Sequence, residues 1–174
     1  MDTSVKLNGS SPRILVVDDD LGVIAAYRHV LEGAVERARE ARLSDFELQL
    51  MGEVREPELG IDWRVDFVDQ GEDAVKFVAE AVRSRDGYRV IFLDMRMPPG
   101  IDGYETARRI RNLDRRVHIV IVSAYSDYDE AEIIAVAGPK RYLSFLPKPV
   151  WPDQLLATAQ KLCARRPYLN RVGS

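Results

Sequence analysis

Four short stretches hold side chains that could do chemistry, each at the end of an apolar run. Asp94 closes Val90-Ile91-Phe92-Leu93 and precedes a proline-glycine turn. Asp18-Asp19-Asp20 follow Arg13-Ile14-Leu15-Val16-Val17, Ser123 ends the run from Val117, and Lys148 stands between Pro147 and Pro149 after the run from Arg141 to Leu146. Carboxylates gathered in a small site repel one another, and they either raise a pKa or recruit a cation. Mg²⁺ suits such a set, because it is hard, takes oxygen ligands, and binds through one or two carboxylates plus waters and phosphate oxygens. With Mg²⁺ and Lys148 present the site could accept a phosphoryl group, whose transfer is mostly positioning and charge stabilisation. A carboxylate can be the nucleophile, giving an aspartyl-phosphate. Ser123 could hydrogen-bond one phosphoryl oxygen and Lys148 could pair with another.

For these groups to meet, the elements carrying them must bring their ends to one place. Arg13–Val17, Val90–Leu93, Val117–Ser123 and Arg141–Leu146 read as buried strands. Trp63-Arg64-Val65-Asp66-Phe67-Val68 alternates, as an edge strand with one wet face does. Helices are expected between them. The first is capped by Asp20 and carries Ile24, Tyr27, Leu31, Ala34 and Ala38 on one face. The second runs from about Gly71 to Arg83, with Ala74, Val75, Val78, Ala79 and Val82 inward. The third starts at Asp102 with Glu105 three residues on and buries Tyr104, Ala107 and Ile110. A short fourth lies near Asp129–Ala137, closed by Gly138-Pro139. The last starts near Pro152 and buries Leu155, Leu156, Ala159, Leu162 and Cys163. Residues 44–62 form an insertion in the first crossover. There Phe46, Leu48 and Leu50 alternate with Glu47 and Gln49, which favours a strand, while Ser44 with Glu47 also fits a capping box and a helix.

Five βα units argue for a parallel sheet with helices on both faces. The expectation is an α/β flavodoxin-like three-layer sandwich with strand order 2-1-3-4-5. All four polar strand ends then lie on one edge, where open α/β sheets bind ligands. A chain of 174 residues, 46% hydrophobic and 30% charged, fits one globular domain. A net charge of −3 gives no reason to expect nucleic acid. No apolar run approaches the roughly 20 residues of a membrane span, and Met1–Ser11 lacks the apolar core of a signal peptide, so a cytoplasmic location is expected. The single cysteine, Cys163, excludes an intrachain disulfide. Residues 1–11 read as a disordered lead-in, 12–166 as the domain and 167–174 as a tail.

Together, Ile14-Leu15-Val16-Val17-Asp18-Asp19, Leu93-Asp94-Met95-Arg96-Met97-Pro98, Val122-Ser123-Ala124 and Leu146-Pro147-Lys148-Pro149 resemble the receiver domain of two-component response regulators, of the chemotaxis-regulator type. The resemblance covers about Arg13 to Arg165 apart from the insertion. It implies that Asp94 is the phosphoacceptor. Asp19, Asp94 and the backbone carbonyl of Arg96 would hold Mg²⁺, with Asp18 acting mainly through a metal-bound water. Ser123 would move toward the phosphoryl group, Lys148 would contact it, and Phe145 would be the aromatic switch that turns inward. Arg96 and Tyr125 occupy positions that tune dephosphorylation, and the Lys148-Pro149 bond is usually cis. Pro98-Pro99-Gly100-Ile101-Asp102-Gly103 is one residue longer than the common turn, as in receivers attached to larger signalling proteins.

The implied role is a phosphorelay switch rather than an enzyme. It would be phosphorylated by a sensor histidine kinase or a histidine phosphotransfer protein, and it would act on a downstream protein, through a homodimer, or through an effector domain outside this sequence. Two rivals remain at this level. A haloacid-dehalogenase-like phosphohydrolase would put its nucleophile at Asp18 in Asp18-x-Asp20, but it expects threonine or valine where Gly22 stands. A constitutive docking receiver would use the fold without the chemistry. Phe145 also fits plain core, Cys163 reads as inert core, and neither His29 nor His118 reads as a ligand.

Overall fold

The computed structural model describes residues 11–51, 62–124 and 129–164. Five strands, β1 (Arg13–Val17), β2 (Arg64–Val68), β3 (Tyr88–Asp94), β4 (His118–Ser123) and β5 (Leu143–Pro147), alternate with five α-helices. These are α1 (Leu21–Leu50), α2 (Gly71–Arg83), α3 (Gly103–Leu113), α4 (Glu130–Ala137) and α5 (Pro152–Cys163). The sheet is parallel throughout, in the order β2-β1-β3-β4-β5. This is the flavodoxin-like sandwich that the alternation predicts.

Successive residues of a strand point to opposite faces, so an element covered on both sides must be apolar at every position. Ile14 and Val16 of β1, Val90 and Phe92 of β3, and Val120 and Val122 of β4 face one core, with Tyr27, Leu31 and Ala34 of α1 and Leu155, Ala159 and Leu162 of α5. Leu15, Val17, Ile91, Leu93, Ile119 and Ile121 face the other, with Ala74 and Val78 of α2, Ala107 and Ile110 of α3, and Ile133 of α4. Each large side chain so buried contributes about 1.5–3 kcal/mol relative to exposure. β2 lies at the sheet edge, and only Val68 of its five residues is buried.

The sheet edge away from Asp94 is closed by ions. Arg13 pairs with Asp66 at 2.6 Å and stacks over the Tyr88 ring, whose hydroxyl also donates to Asp66. Arg64 binds Asp86 through both of its terminal nitrogens.

Several local expectations need correction. The strand reading of 46–50 is wrong: α1 is 30 residues long and runs through to Leu50. From Ala34 to Leu50 there is no glycine or proline, and the stretch is rich in Ala, Arg, Glu and Leu, so helix propensity prevails over a short alternation. Ser44 caps nothing, because the helix is already running when it reaches that residue. In α2 the buried residue near the end is Ala81, while Val82 is 41% exposed. In α3 Tyr104 is half-buried, and Thr106 and Arg111 take inside positions. A 3-10 turn at Lys140–Tyr142 precedes β5, which therefore starts at Leu143 rather than Arg141. The lead-in before Ser11, the Pro57–Gly60 loop, Tyr125 and the tail lie outside the described residues.

Candidate functional site

Strand order places β1 between β2 and β3, so the chain reverses its direction of travel across the sheet between β1 and β3. At such a switch point the loops splay apart and leave a crevice at the carboxyl ends of the strands. Register decides which side chains meet there. Val17 lies opposite Leu93, so Asp18 comes abreast of Asp94 one residue on. Ser123 lies opposite Pro147, and Lys148 follows directly.

Lys148 Nζ donates to Asp94 Oδ1 at 2.8 Å and to Asp18 Oδ2 at 3.0 Å. Both carboxylates are buried, at 5% and 2% exposure. Their other oxygens accept backbone N–H groups: Asp94 Oδ2 from Arg96 at 3.0 Å and Asp18 Oδ1 from Asp20 at 3.0 Å. Asp19 is half-buried, and it completes a group with Asp18 and Asp94 in which one oxygen from each lies within 4.8 Å of the others. Asp20 points away and caps α1, accepting from Gly22 and Val23.

The electrostatics follow from burial. Burial pushes the Asp18 carboxyl up from its ordinary value, against the hydrogen bonds from Asp20 and Lys148. Burial pulls the Lys148 ammonium down, but its hydrogen bonds to Asp94 and Asp18 outweigh this and raise it overall. The Tyr27 phenol beneath the site is raised to about 12, first by burial and then by the Asp18 charge, so it stays protonated. The crevice is thus an all-oxygen donor set with one ammonium against it. That set fits a hard divalent cation, which prefers carboxylate and carbonyl oxygens.

Ser123 ends β4 half-buried, and its carbonyl accepts the Lys148 N–H at 2.9 Å. With Ala124, Glu130, Ile133, Phe145, Leu146 and Pro147 it lines a cavity of about 200 Å³. Phe145 is half-buried and packs on the α2–α4 side of the sheet. The Lys148-Pro149 bond is cis, as are Pro98-Pro99 and Gly138-Pro139. Arg96 meets Asp94 through its N–H; Tyr125 is outside the described residues.

Other positioning residues are not evident from sequence. Glu72 at the start of α2 accepts the Ile101 N–H at 3.1 Å and so holds the long turn after Asp94. The two are 29 residues apart, and no local pattern signals the contact. Gly103 packs so tightly under β3 that a Cβ there would collide with the Asp94 carbonyl and come within 2.7 Å of Met95 Cα. The Asp-Gly pair at that helix start is a signal that could have been read. Arg111 is buried at 7% exposure and donates to the carbonyls of Ala137, Asp114, Val117 and Tyr142 at 2.8–3.1 Å. It thereby ties α3 to the end of α4, the start of β4 and the approach to β5.

A switch-point crevice with three clustered carboxylates and a lysine, on a parallel five-stranded sheet, is consistent with a site for a divalent cation. The comparisons narrow this. The family model for the response regulator receiver domain matches residues 45–160, a span that holds Asp94, Ser123 and Lys148 and begins after Asp18 and Asp19. The chain belongs to that family. The transcriptional regulatory protein PrrA of Mycobacterium leprae is 31% identical over 166 residues, which is 95% of this chain and 54% of PrrA. The cyclic di-GMP phosphodiesterase response regulator RpfG of Xanthomonas campestris is 29% identical over 91% of this chain and 34% of its own length. This chain therefore spans about half, or less, of these curated relatives. Among solved structures, the chemotaxis protein CheY4 of Vibrio cholerae matches with a TM-score of 0.57 at 21% identity, covering 88% of this chain and 99% of its own. A CheY-like receiver domain protein from Methanospirillum hungatei matches at 0.60 with 18% identity, over 88% and 94%.

Receivers of this family are signal-transduction switches that undergo their own phosphorylation and dephosphorylation; they are not enzymes acting on external substrates. Among the described residues, no helix is long and apolar enough to cross a membrane.

Proposed function

We propose that this chain is a phosphorylation-dependent signalling switch with Asp94 as phosphoacceptor. The observation that carries the reading is Lys148 Nζ spanning Asp18 and Asp94 at the switch point, with Asp19 alongside. An Asp94 oxygen attacks the phosphorus of a phosphohistidine on a sensor kinase or histidine phosphotransfer protein. The O–P bond forms, the P–N bond breaks, and the imidazole leaves. Asp18, Asp19, Asp94 and the Arg96 carbonyl would hold Mg²⁺, which when bound neutralises charge on the transferring phosphoryl oxygens. Lys148 gives up Asp94 and pairs with a phosphoryl oxygen, while the Ser123 hydroxyl donates to another.

The new charge at Asp94 draws Ser123 inward and frees space that Phe145 follows. The cavity that both residues line supports this coupling. The change biases a pre-existing equilibrium, and the face built from α4, β5 and α5 exchanges downstream partners. The switching unit is taken as residues 12–166, with 44–62 as its insertion.

The test is incubation with Mg²⁺ and acetyl phosphate followed by intact mass, with Asp94→Asn in parallel. One phosphate adduct on the wild type and none on the variant is expected. An adduct that persists in Asp94→Asn would refute the assignment. No adduct on the wild type, from acetyl phosphate or from a phosphorylated histidine donor, would leave a docking receiver.

A further inference from the structure

The outward face of α1 changes character along its length. Over the domain it is charged and self-paired: Arg28 with Glu32 at 3.1 Å, then Glu36 with Arg39 at 3.5 Å. One turn later the same face becomes apolar, with Leu43 at 62% exposure, Phe46 at 59% and Leu50 at 73%. The spacing of three and four residues sets these three side chains in one stripe. The stripe points away from the side that buries Ile24, Tyr27, Leu31 and Ala34.

Together Leu43, Phe46 and Leu50 leave roughly 350 Å² of apolar surface in water, within the range of the largest patch on a typical monomer; Met51, 81% exposed, lies at the helix end and off this stripe. Two such faces together bury roughly 700 Å², the scale of a weak, transient interface.

We propose that this stripe is a self-association surface on which a second copy of the chain pairs its own α1 in parallel. Charge complementarity selects both the partner and the direction. With Leu43 and Leu50 at the a positions of a heptad and Phe46 at d, Arg42 falls at g and Glu47 at e. In a parallel pair, g of one helix meets the following e of the other, so Arg42 faces Glu47 of the second copy on both sides of the two-fold axis. An antiparallel pair at the a-to-d register would instead set Glu40 against Glu47, like against like. So short a seam would not hold two free peptides together. Here each seam continues a helix that its domain anchors as far as Ala34, so no new helix has to be nucleated and the ordering cost is reduced. Parallel pairing also sets both Asp94 crevices at the same end of the dimer.

The experiment is sedimentation velocity on the full chain across a concentration series, with circular dichroism to confirm that each variant keeps its helices. The wild type is expected to dimerise. Leu43→Glu should weaken the dimer by about tenfold or more, since it buries a charge in the seam. Arg42→Glu should weaken it, and Arg42→Glu with Glu47→Arg should restore it. In a Cys163→Ser background, Leu50→Cys should cross-link to itself under mild oxidation. A chain that stays monomeric at its highest soluble concentration overturns the proposal, as does a dimer indifferent to Leu43→Glu. Failure of the double charge swap to restore association, or of Leu50→Cys to cross-link, overturns the parallel pairing.

Discussion

Replacing Lys148 by Met keeps most of the side chain's length and removes its charge, which leaves Asp18 and Asp94 buried side by side without that cation. At about 3 Å and an effective dielectric constant near 20, each contact is worth roughly 5 kcal/mol before desolvation is subtracted. The ammonium side chain is 32% exposed, so solvent screens part of this. Breaking a buried pair by removing one partner costs about 3–5 kcal/mol. The lower end, about 3 kcal/mol, is expected here. In a domain of this size that lowers Tm by about 10 °C.

The deficit should depend on pH with a definite sign. Burial already raises the Asp18 carboxyl above its ordinary 3.8, and loss of the ammonium raises it further. Below 3.8 the carboxyl is protonated in both folded and unfolded chains, and no penalty remains. Above the folded pKa the penalty is complete. Lys148→Met should therefore approach wild-type stability near pH 4 and fall furthest behind at neutral pH. Millimolar Mg²⁺ should return part of the loss by supplying the missing positive charge, and it should stabilise the variant more than the wild type. The assay is thermal unfolding in metal-free buffer from pH 4 to 8, repeated with Mg²⁺. A variant within about 2 °C of wild type at pH 7, or a deficit that does not change with pH, would refute the reasoning.

Two further outcomes follow from the geometry. Arg111→Met strands four carbonyls that accept from one buried guanidinium, and should cost about 3 kcal/mol in urea unfolding. Arg111→Lys, with fewer directed donors, should recover only part of that, and full recovery would show that charge alone matters. The Glu105 carboxyl is held down to about 2 by Arg108 and Arg109. Its contribution to stability should be present above its ordinary 4.5 and disappear as pH falls through about 2. An NMR titration midpoint near 4.5 in the wild type would contradict the pairing, and Arg108→Gln with Arg109→Gln should move the midpoint up toward that value.

Much of this fold is legible in the order of the residues because the signals are local. Strands apolar at every position imply cover on both faces, and the intervening helices announce themselves by capping residues and periodicity. The polar residue ending each run marks the edge where the candidate site lies, and Asp18, Asp19, Asp94, Ser123 and Lys148 are all picked out in this way. Local signals also mislead where two of them compete. Phe46, Leu48 and Leu50 alternate like a strand, yet they continue a helix whose momentum comes from the Ala-, Arg- and Glu-rich turns before them. At Ala81 and Val82 the larger apolar residue lies outside, because Ala81 continues the inward row of Ala74 and Val78 while Val82 turns one residue further round the helix.

The tertiary structure decided what depends on register and on distance along the chain. Lys148 meets Asp18 across 130 residues only because β1, β3, β4 and β5 are aligned residue by residue. Glu72 reaches Ile101, and Arg111 gathers carbonyls from three other segments, through packing that no window of sequence contains. The exposure of Leu43, Phe46 and Leu50 belongs to the same class: their spacing is written in the sequence, but that no described residue covers them is a property of where α1 leaves the domain. Hydrophobic periodicity acts over a few residues and is readable; the meeting of polar groups costs or returns free energy only once the sheet has brought them together.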